Sequence, residues 1–459
     1  MRTRTVIKRL VLVVVLALLT YGIRYAWVSF PIISGYGAKN LCSCVFVAGR
    51  SEKNVLEEEL ADSPLSMGSY TVDQKDSSVT GTVAGLAKRK AVYRKGLGCT
   101  LVNDIPETDL RAQSFAVPTP PAINTDSIPW PMGDLVPTGQ VSTTINTGVL
   151  MHAVEQAFAE PDPKKQRRTR AVLVVYDGKL VAERYAPGYD RHSKLLGWSM
   201  SKSITGTLVG ILVKQGKLQV EAPAPVPEWK DPEDPRHAIT LQNLLQQTSG
   251  LNYEENYSKA STATNMLFKK GDMGAYVAGL SPKDKPGSVF YYSSGNSNVI
   301  SRIIRQTVGE KDYHGFPYTE LFYKIGMYHA QPEPDASGTY VGSSYTYATA
   351  RDWARFGLLY YYDGVWNGER ILPEGWVKKA STPVVTSSGP QEYGYQLWLG
   401  KLNPEETFKA GEPADVFYAD GYGDQEVYII PAKKLVIVRL GLHKFDLDSL
   451  LDGVVRSIQ

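Results

Sequence analysis

The chain has 459 residues, enough for two or three domains at roughly 100 to 200 residues each. Hydrophobic residues make up 43% and charged residues 21%, a balance that excludes a largely disordered polypeptide. The net charge of +3 comes from 50 basic and 47 acidic residues, too even a mixture for a surface that tracks nucleic-acid phosphates.

At the start, Arg2, Arg4, Lys8 and Arg9 precede the apolar stretch from Leu10 to Ile23. No A-x-A-like cleavage site follows; Arg24, Tyr25, Trp27 and Phe30 come instead, so residues 1–33 are expected to stay on as a signal anchor. Extended by Val6 at one end and the aromatic residues at the other, the stretch reaches the length of about 20 residues that crosses a bilayer. The positive-inside rule then puts the rest of the chain outside the cytoplasm, which in an envelope with two membranes means the periplasm.

Residues 34–115 alternate short apolar runs with turn signals, among them Val45-Phe-Val-Ala-Gly49, Val79-Thr-Gly-Thr-Val83 and Ala91-Val-Tyr93, and predict a small strand-rich domain. Its three cysteines, Cys42, Cys44 and Cys99, predict one disulfide from Cys99 to Cys42 or to Cys44 in an exported chain. Residues 116–145 carry six prolines and predict a linker, after which residues 146–459 form the largest domain. There, two β-rich runs meet at Asp177-Gly178, a tight-turn pair, and a second hairpin is predicted over residues 426–440. Strands early and late, with helices and loops between, predict an antiparallel sheet assembled from both ends of an α+β domain.

Ser199-Met-Ser-Lys202 is the one S-x-x-K in the chain, at the start of a helix predicted to run from Ser199 to Gln215 and stop at Gly216. Three-residue spacing puts the hydroxyl and the amine on one helical face. The helix N-terminus supplies N–H groups and a positive dipole end that favour an oxyanion and a neutral lysine, and a neutral amine can take the hydroxyl proton. As a bare motif it also fits a helix cap beside a surface lysine.

The surrounding residues carry more. Trp198-Ser-Met-Ser-Lys-Ser-Ile-Thr-Gly-Thr-Leu-Val-Gly210 is followed in order by Ile239-Thr-Leu-Gln-Asn-Leu-Leu-Gln-Gln-Thr-Ser-Gly-Leu251 and Pro286-Gly-Ser-Val-Phe-Tyr-Tyr-Ser-Ser294. Ala348-Thr-Ala-Arg-Asp-Trp-Ala-Arg-Phe356, Trp366-Asn-Gly-Glu-Arg-Ile-Leu-Pro373 and Tyr393-Gly-Tyr-Gln-Leu-Trp398 complete the series. From about residue 150 to the end, the chain resembles the serine hydrolases of the β-lactamase and penicillin-binding-protein superfamily, in the class C and esterase branch. Within it, the 6-aminohexanoate-dimer (nylon-oligomer) hydrolases and their carboxylesterase relatives are the nearest in pattern.

The resemblance implies a β-lactamase/transpeptidase-like α+β fold: an antiparallel sheet flanked by helices, with a helical insertion. It implies an acyl-enzyme on Ser199, with Lys202 as base and Tyr292 as proton relay in the place of the family's Y-x-N tyrosine. Ser294 stands where that motif has Asn, which weakens a β-lactamase reading. Ala419-Asp-Gly421 falls where the family carries K-T-G or H-x-G. Gly421 is expected to let substrate approach, the N–H of Tyr422 to complete an oxyanion hole with that of Ser199, and Asp420 to disfavour a β-lactam carboxylate and welcome an amine. Tyr257 lies in the cleft-walling insertion and is a candidate substrate contact.

Arg351-Asp352 reads as an internal ion pair. The histidines show no ligand spacing, so neither metal nor cofactor is expected. The expected partners are a small ester or amide substrate and, through the N-terminal segment, a membrane. The competing activities are a D,D-peptidase or β-lactamase, or a non-catalytic envelope binding protein. An α/β-hydrolase elbow at Gly197-Trp-Ser-Met-Ser201 lacks its last glycine and would need a parallel sheet.

Overall fold

The computed structural model describes residues 2–137, 144–403 and 405–458, with the side chains of 2–5 also left outside the description. The chain divides into two compact units. One consists of Met1–Arg94, Cys99–Arg111 and Glu254–Gly271; the other of Lys95–Gly98, Ala112–Tyr253 and Asp272–Gln459. Part of the expected linker, residues 138–143, and the expected basic side chains of Arg2 and Arg4 lie outside the described residues.

The smaller unit begins with helix α1 (Arg2–Phe46). Its N-terminal half is apolar and exposed, from Val6 through Ile23; its C-terminal half, from Ile33 to Cys44, is largely buried. Val6–Phe46 is long and apolar enough to cross a membrane. The antiparallel meander β1 (Gly68–Asp73), β2 (Ser78–Val83), β3 (Leu86–Arg94) and β4 (Gly98–Leu101) packs against the buried half.

The apolar run at Val45, expected to be a strand, is the end of α1 followed by a turn, because helix continues unbroken through Phe46. Gly81 permits the close approach of helix and sheet, since a side chain there would meet the Ser34 carbonyl. The disulfide joins Cys42 to Cys99, stapling the helix to β4, while Cys44 is buried outside it. Closing a loop with a sequence separation of 57 residues stabilises a small unit by restricting its unfolded chain.

In the larger unit the sheet has six strands. The strands are β5 (Thr169–Tyr176), β6 (Lys179–Tyr185), β7 (Trp398–Gly400), β8 (Val416–Gly421), β9 (Gln425–Ile430) and β10 (Leu435–Gly441), in the order β7-β8-β9-β10-β5-β6. All neighbours are antiparallel, and the early and late segments join where Val174 pairs with Ile437. The tight turn forms as expected, with positive φ at both Asp177 and Gly178.

β5 and β10 read as continuous apolar runs because both of their faces are covered. Helices α2 (Thr147–Gln156) and α6 (Leu447–Arg456) supply Leu150, Val154, Leu450 and Val454 to one face, against Val172, Tyr428 and Ile437. On the other face lie α3 (Met200–Lys214) and α5 (Ala350–Tyr361), with α4 (Ser294–Val308) packed against α3. At roughly 1.5–3 kcal/mol for each large apolar side chain buried, this two-sided burial holds the central strands rigidly.

The expected Arg351–Asp352 ion pair does not form. Adjacent helical positions point apart, so Arg351 instead meets Glu183 at 2.6 Å and Asp134 at 3.4 Å. Asp352 closes a capping box with Thr349 at the start of α5. The proline-rich stretch that follows residue 116 is held against the larger unit by Trp130, whose indole donates to the Gly178 carbonyl, and by Arg355, which donates to the carbonyls of Pro131 and Gly133.

Candidate active site

Helix α3 starts at Ser199, and the serine occupies the N-cap without using its side chain as a cap. That leaves Oγ available, which separates it from an ordinary capping serine. Trp198 precedes it with φ of +47°, a left-handed conformation unfavourable for a bulky residue and characteristic of sites where the backbone is held to aim a neighbour. One turn on, the Lys202 side chain is about 1% exposed. Its Nζ lies 2.9 Å from Ser199 Oγ, 3.0 Å from Ser294 Oγ and 3.1 Å from the Ser343 carbonyl oxygen.

Each neighbour is itself anchored. Asn298, one turn into α4 from Ser294, donates from Nδ2 to Ser343 Oγ and accepts from the Ser343 N–H, which fixes the carbonyl that faces Lys202. Thr205 of α3 donates to the Gly342 carbonyl and ties the same loop to the serine's helix. Ser343 and Asn298 were not singled out by the sequence; a carbonyl ligand leaves no side-chain signature.

Tyr292 lies just ahead of α4, with Lys202 Nζ 4.8 Å from its ring centroid. Trp398 of β7 stacks on its ring, with centroids 5.2 Å apart and planes inclined by 29°. Gln247 holds the tyrosine's segment: its side-chain carbonyl accepts from the Ser293 N–H and from Asn296 Nδ2, and its main-chain carbonyl from the Tyr291 N–H. Ser199, Lys202, Tyr292 and Ser294 are thus gathered around one amine.

Strand β8 passes beside the start of α3. A side chain at Gly421 would collide with the Gly197 carbonyl, so the glycine is required by the approach of two backbone segments. The next residue, Tyr422, is 65% exposed, and its ring meets that of Trp198 edge-on with centroids 5.9 Å apart. Among the described residues, neither the Ser199 N–H nor the Tyr422 N–H donates to a protein acceptor.

Asp420 is turned the other way. Side chains alternate along a strand, so with Ala419 and Gly421 towards α3, Asp420 joins Tyr418 on the α6 face and sits opposite Glu426 of β9. Burial pushes its carboxyl upward, while a hydrogen bond with Glu426 and then the charge of nearby Lys202 pull in the opposite direction. Tyr257 belongs to the segment Glu254–Gly271 of the smaller unit, where it is half exposed and donates to Glu255. Among the described residues, no three His, Cys, Asp or Glu side chains come together as a metal site.

A serine and a lysine within hydrogen-bonding distance, with a phenol alongside, are groups that acyl transfer uses. Comparison with known proteins agrees with the fold. The 6-aminohexanoate-dimer hydrolase of Paenarthrobacter ureafaciens is 25% identical over 339 residues, which span 67% of this chain and 83% of that protein. A solved structure described as a putative 6-aminohexanoate-dimer hydrolase from Bacillus anthracis superposes with a TM-score of 0.53 at 25% identity, covering 64% of this chain and 79% of that one.

A family VIII carboxylesterase shares the fold, with a TM-score of 0.52 at 14% identity over 68% of this chain and 97% of its own. The family model described as Beta-lactamase matches residues 153–441, a stretch that holds all six strands of the large sheet and every residue placed around Lys202. The chain therefore belongs to the Beta-lactamase family.

Proposed function

We propose that the larger unit is a serine hydrolase of ester or amide bonds that works through an acyl-enzyme on Ser199. Support comes above all from the 2.9 Å contact between Ser199 Oγ and a lysine amine withdrawn from solvent. The Ser343 carbonyl can only accept a hydrogen bond. For the reaction, a neutral Lys202 would keep N–H bonds to Ser343 O and Ser294 Oγ and turn its lone pair towards the Ser199 hydroxyl, 2.9 Å away.

Ser199 Oγ attacks the carbonyl carbon as its proton passes to Lys202, and the N–H groups of Ser199 and Tyr422 receive the oxyanion. The proton then reaches the leaving alcohol or amine through Tyr292, the carbonyl–leaving-group bond breaks, and water hydrolyses the ester on Ser199. The name of the relative at 25% identity, a 6-aminohexanoate-dimer hydrolase, supports this chemistry, and Ala419 in place of a cation argues against β-lactam turnover.

We further propose that α1 anchors the chain in a membrane with the hydrolase outside the cytoplasm; its exposed apolar half, behind a basic N-terminus, supports this. A fluorophosphonate probe should label Ser199, as read by peptide mass, and short p-nitrophenyl esters should be turned over. An unlabelled Ser199 in folded protein, or rapid turnover of a chromogenic cephalosporin in preference to esters, would overturn the reading.

A further inference from the structure

On the α6 face of the sheet, a solvent-open cavity of about 420 Å³ lies between β7, β8, β9 and the start of α6. That size suits a small ligand. Trp398, Tyr418, Tyr428 and Phe445 are its aromatic lining, and Tyr418 and Tyr428 stack with centroids 4.7 Å apart. Its polar lining is Asp420, Glu426, Asp446 and Asp448; neither lysine nor arginine is among the lining residues.

Glu426 sits at the back, about 3% exposed; its carboxyl shares a hydrogen bond with that of Asp420, and its Oε2 is buried without a donor from any other described residue. Arg439, directly across from it on β10, does not supply one. Its terminal nitrogens donate instead to the carbonyls of Gly423, Asp424, Arg167 and His443 and to Thr169 Oγ1, while its Nε is buried without a partner among the described residues. A buried carboxyl oxygen left without a donor is costly, and its natural complement is a donor that carries positive charge.

We propose that this cavity binds an organic ammonium ion, a primary or quaternary amine on a short apolar stem. The carboxyls attract the charge, Glu426 Oε2 gains a partner at its deep end, and the tyrosine and tryptophan faces suit a cation with alkyl substituents. Because Trp398 lines the cavity and also stacks on Tyr292, the site shares a wall with the Lys202 cluster. Binding itself does not depend on the hydrolase reading.

Protons compete with such a ligand. Burial holds the Glu426 carboxyl well above its ordinary range and the adjoining Asp420 and Asp424 carboxyls push it further, while Arg439 acts the other way. Asp420 is raised as well, against its hydrogen bond with Glu426 and the charges of Lys202 and Lys444, so the two carboxyls titrate as a pair, and Asp446 and Asp448 face the cavity from the exposed start of α6. A cation therefore displaces a proton on entry, and affinity rises with pH.

The test is calorimetric titration of the full chain in neutral detergent with tetramethylammonium and hexylammonium, beside hexanol as the uncharged control. Both cations should bind, tighten between pH 6 and pH 8, and release protons. Glu426→Gln should weaken them about tenfold or more by removing the deep charge, and the exposed Asp448→Asn about twofold to threefold. Hexanol binding as tightly as hexylammonium, or cation affinity that ignores pH, would overturn the proposal. So would undiminished affinity in folded Glu426→Gln, and should that variant fail to fold, the pH dependence and Asp448→Asn still decide.

Should the ammonium be the charged end of a substrate, tetramethylammonium will inhibit hydrolysis of ω-aminoacyl p-nitrophenyl esters and spare their alkyl counterparts. A separate small cation would affect both alike. Failure of hydrolysis altogether would count against Ser199 as nucleophile and leave the titrations unaffected.

Discussion

Lys202 on α3 and Glu426 on β9 are both ionisable side chains almost wholly removed from water, and the chain treats them in opposite ways. Around Lys202 three oxygens converge within about 3 Å, and the loop that brings one of them is itself pinned by Asn298 and Thr205. Around Glu426 the one side-chain hydrogen bond is shared with another carboxyl, Asp420; its Oε2 has no donor, and the guanidinium of Arg439 gives its terminal N–H groups to carbonyls and to Thr169 while its Nε stays unpartnered among the described residues. A saturated buried network fixes one geometry, as preorganised chemistry demands. An orphaned one is stable only where folding free energy elsewhere outweighs it, and it changes state when a proton or a ligand arrives.

The sharpest way to break this contrast is to remove atoms from the saturated side. Ser199→Ala should lower ester kcat/KM by about 10⁴-fold or more, measured with p-nitrophenyl esters, because it removes the attacking oxygen itself. Lys202→Ala should cost about 10²- to 10⁴-fold and shift the pH–rate profile, as loss of a general base does. Full activity in Lys202→Ala would remove the amine from the mechanism. Tyr292→Phe keeps the stack on Trp398 and loses only the hydroxyl; a fall of about 10²-fold in kcat is expected, larger for amides, whose leaving group needs the proton more.

Asn298→Ala probes the network one step out. Asn298 is a positioning residue that acts through the Ser343 carbonyl, so kcat should fall about tenfold while KM stays near its original value. Stability should drop by about 1–3 kcal/mol, the cost of leaving buried partners unsatisfied. If KM rather than kcat carries the change, Asn298 shapes the substrate cleft and not the amine.

Much of the saturated side could be read from the chain. The S-x-x-K spacing, the glycine after α3, the Asp177-Gly178 turn and the late hairpin each rest on short-range backbone rules that tertiary structure had no reason to override. What escaped depends on long-range partners. Ser343 contributes a main-chain oxygen, and any residue type offers one. Asn298 and Gln247 act by hydrogen bonds whose other ends lie 45 to 49 residues away in sequence.

The small unit was legible in kind but not in its first element. Apolar Val45 to Ala48 has the same composition whether it ends a helix or begins a strand, and the unbroken run of α1 decided it. The direction of Asp420 was within reach. Strict alternation along β8 puts it on the opposite side from Ala419 and Gly421, and treating Ala419-Asp-Gly421 as one motif concealed that period.

The last expected effect comes from the Glu426 side and concerns stability, not rate. Glu426 in the folded chain holds its proton above the ordinary value of 4.5, whereas the unfolded chain releases it there. The folded state therefore binds more protons than the unfolded state from about pH 4.5 upward, and stability falls as pH rises through that window. The slope is at most about 1.4 kcal/mol per pH unit for one proton, and Asp420, raised in the same direction, adds its own share.

Glu426→Gln preserves the shape, has no proton to lose and should flatten the decline between pH 5 and pH 8. Seven of the eight tryptophans lie in the larger unit, so their fluorescence during urea unfolding follows the part of the molecule concerned. Equal slopes in the two proteins would mean that Glu426 ionises freely despite its burial, and the contrast with Lys202 would then be one of hydrogen bonding alone. A gain for the variant that grows with pH, and shrinks for the native chain when tetramethylammonium is present, would show the proton and the cation competing for the same oxygen.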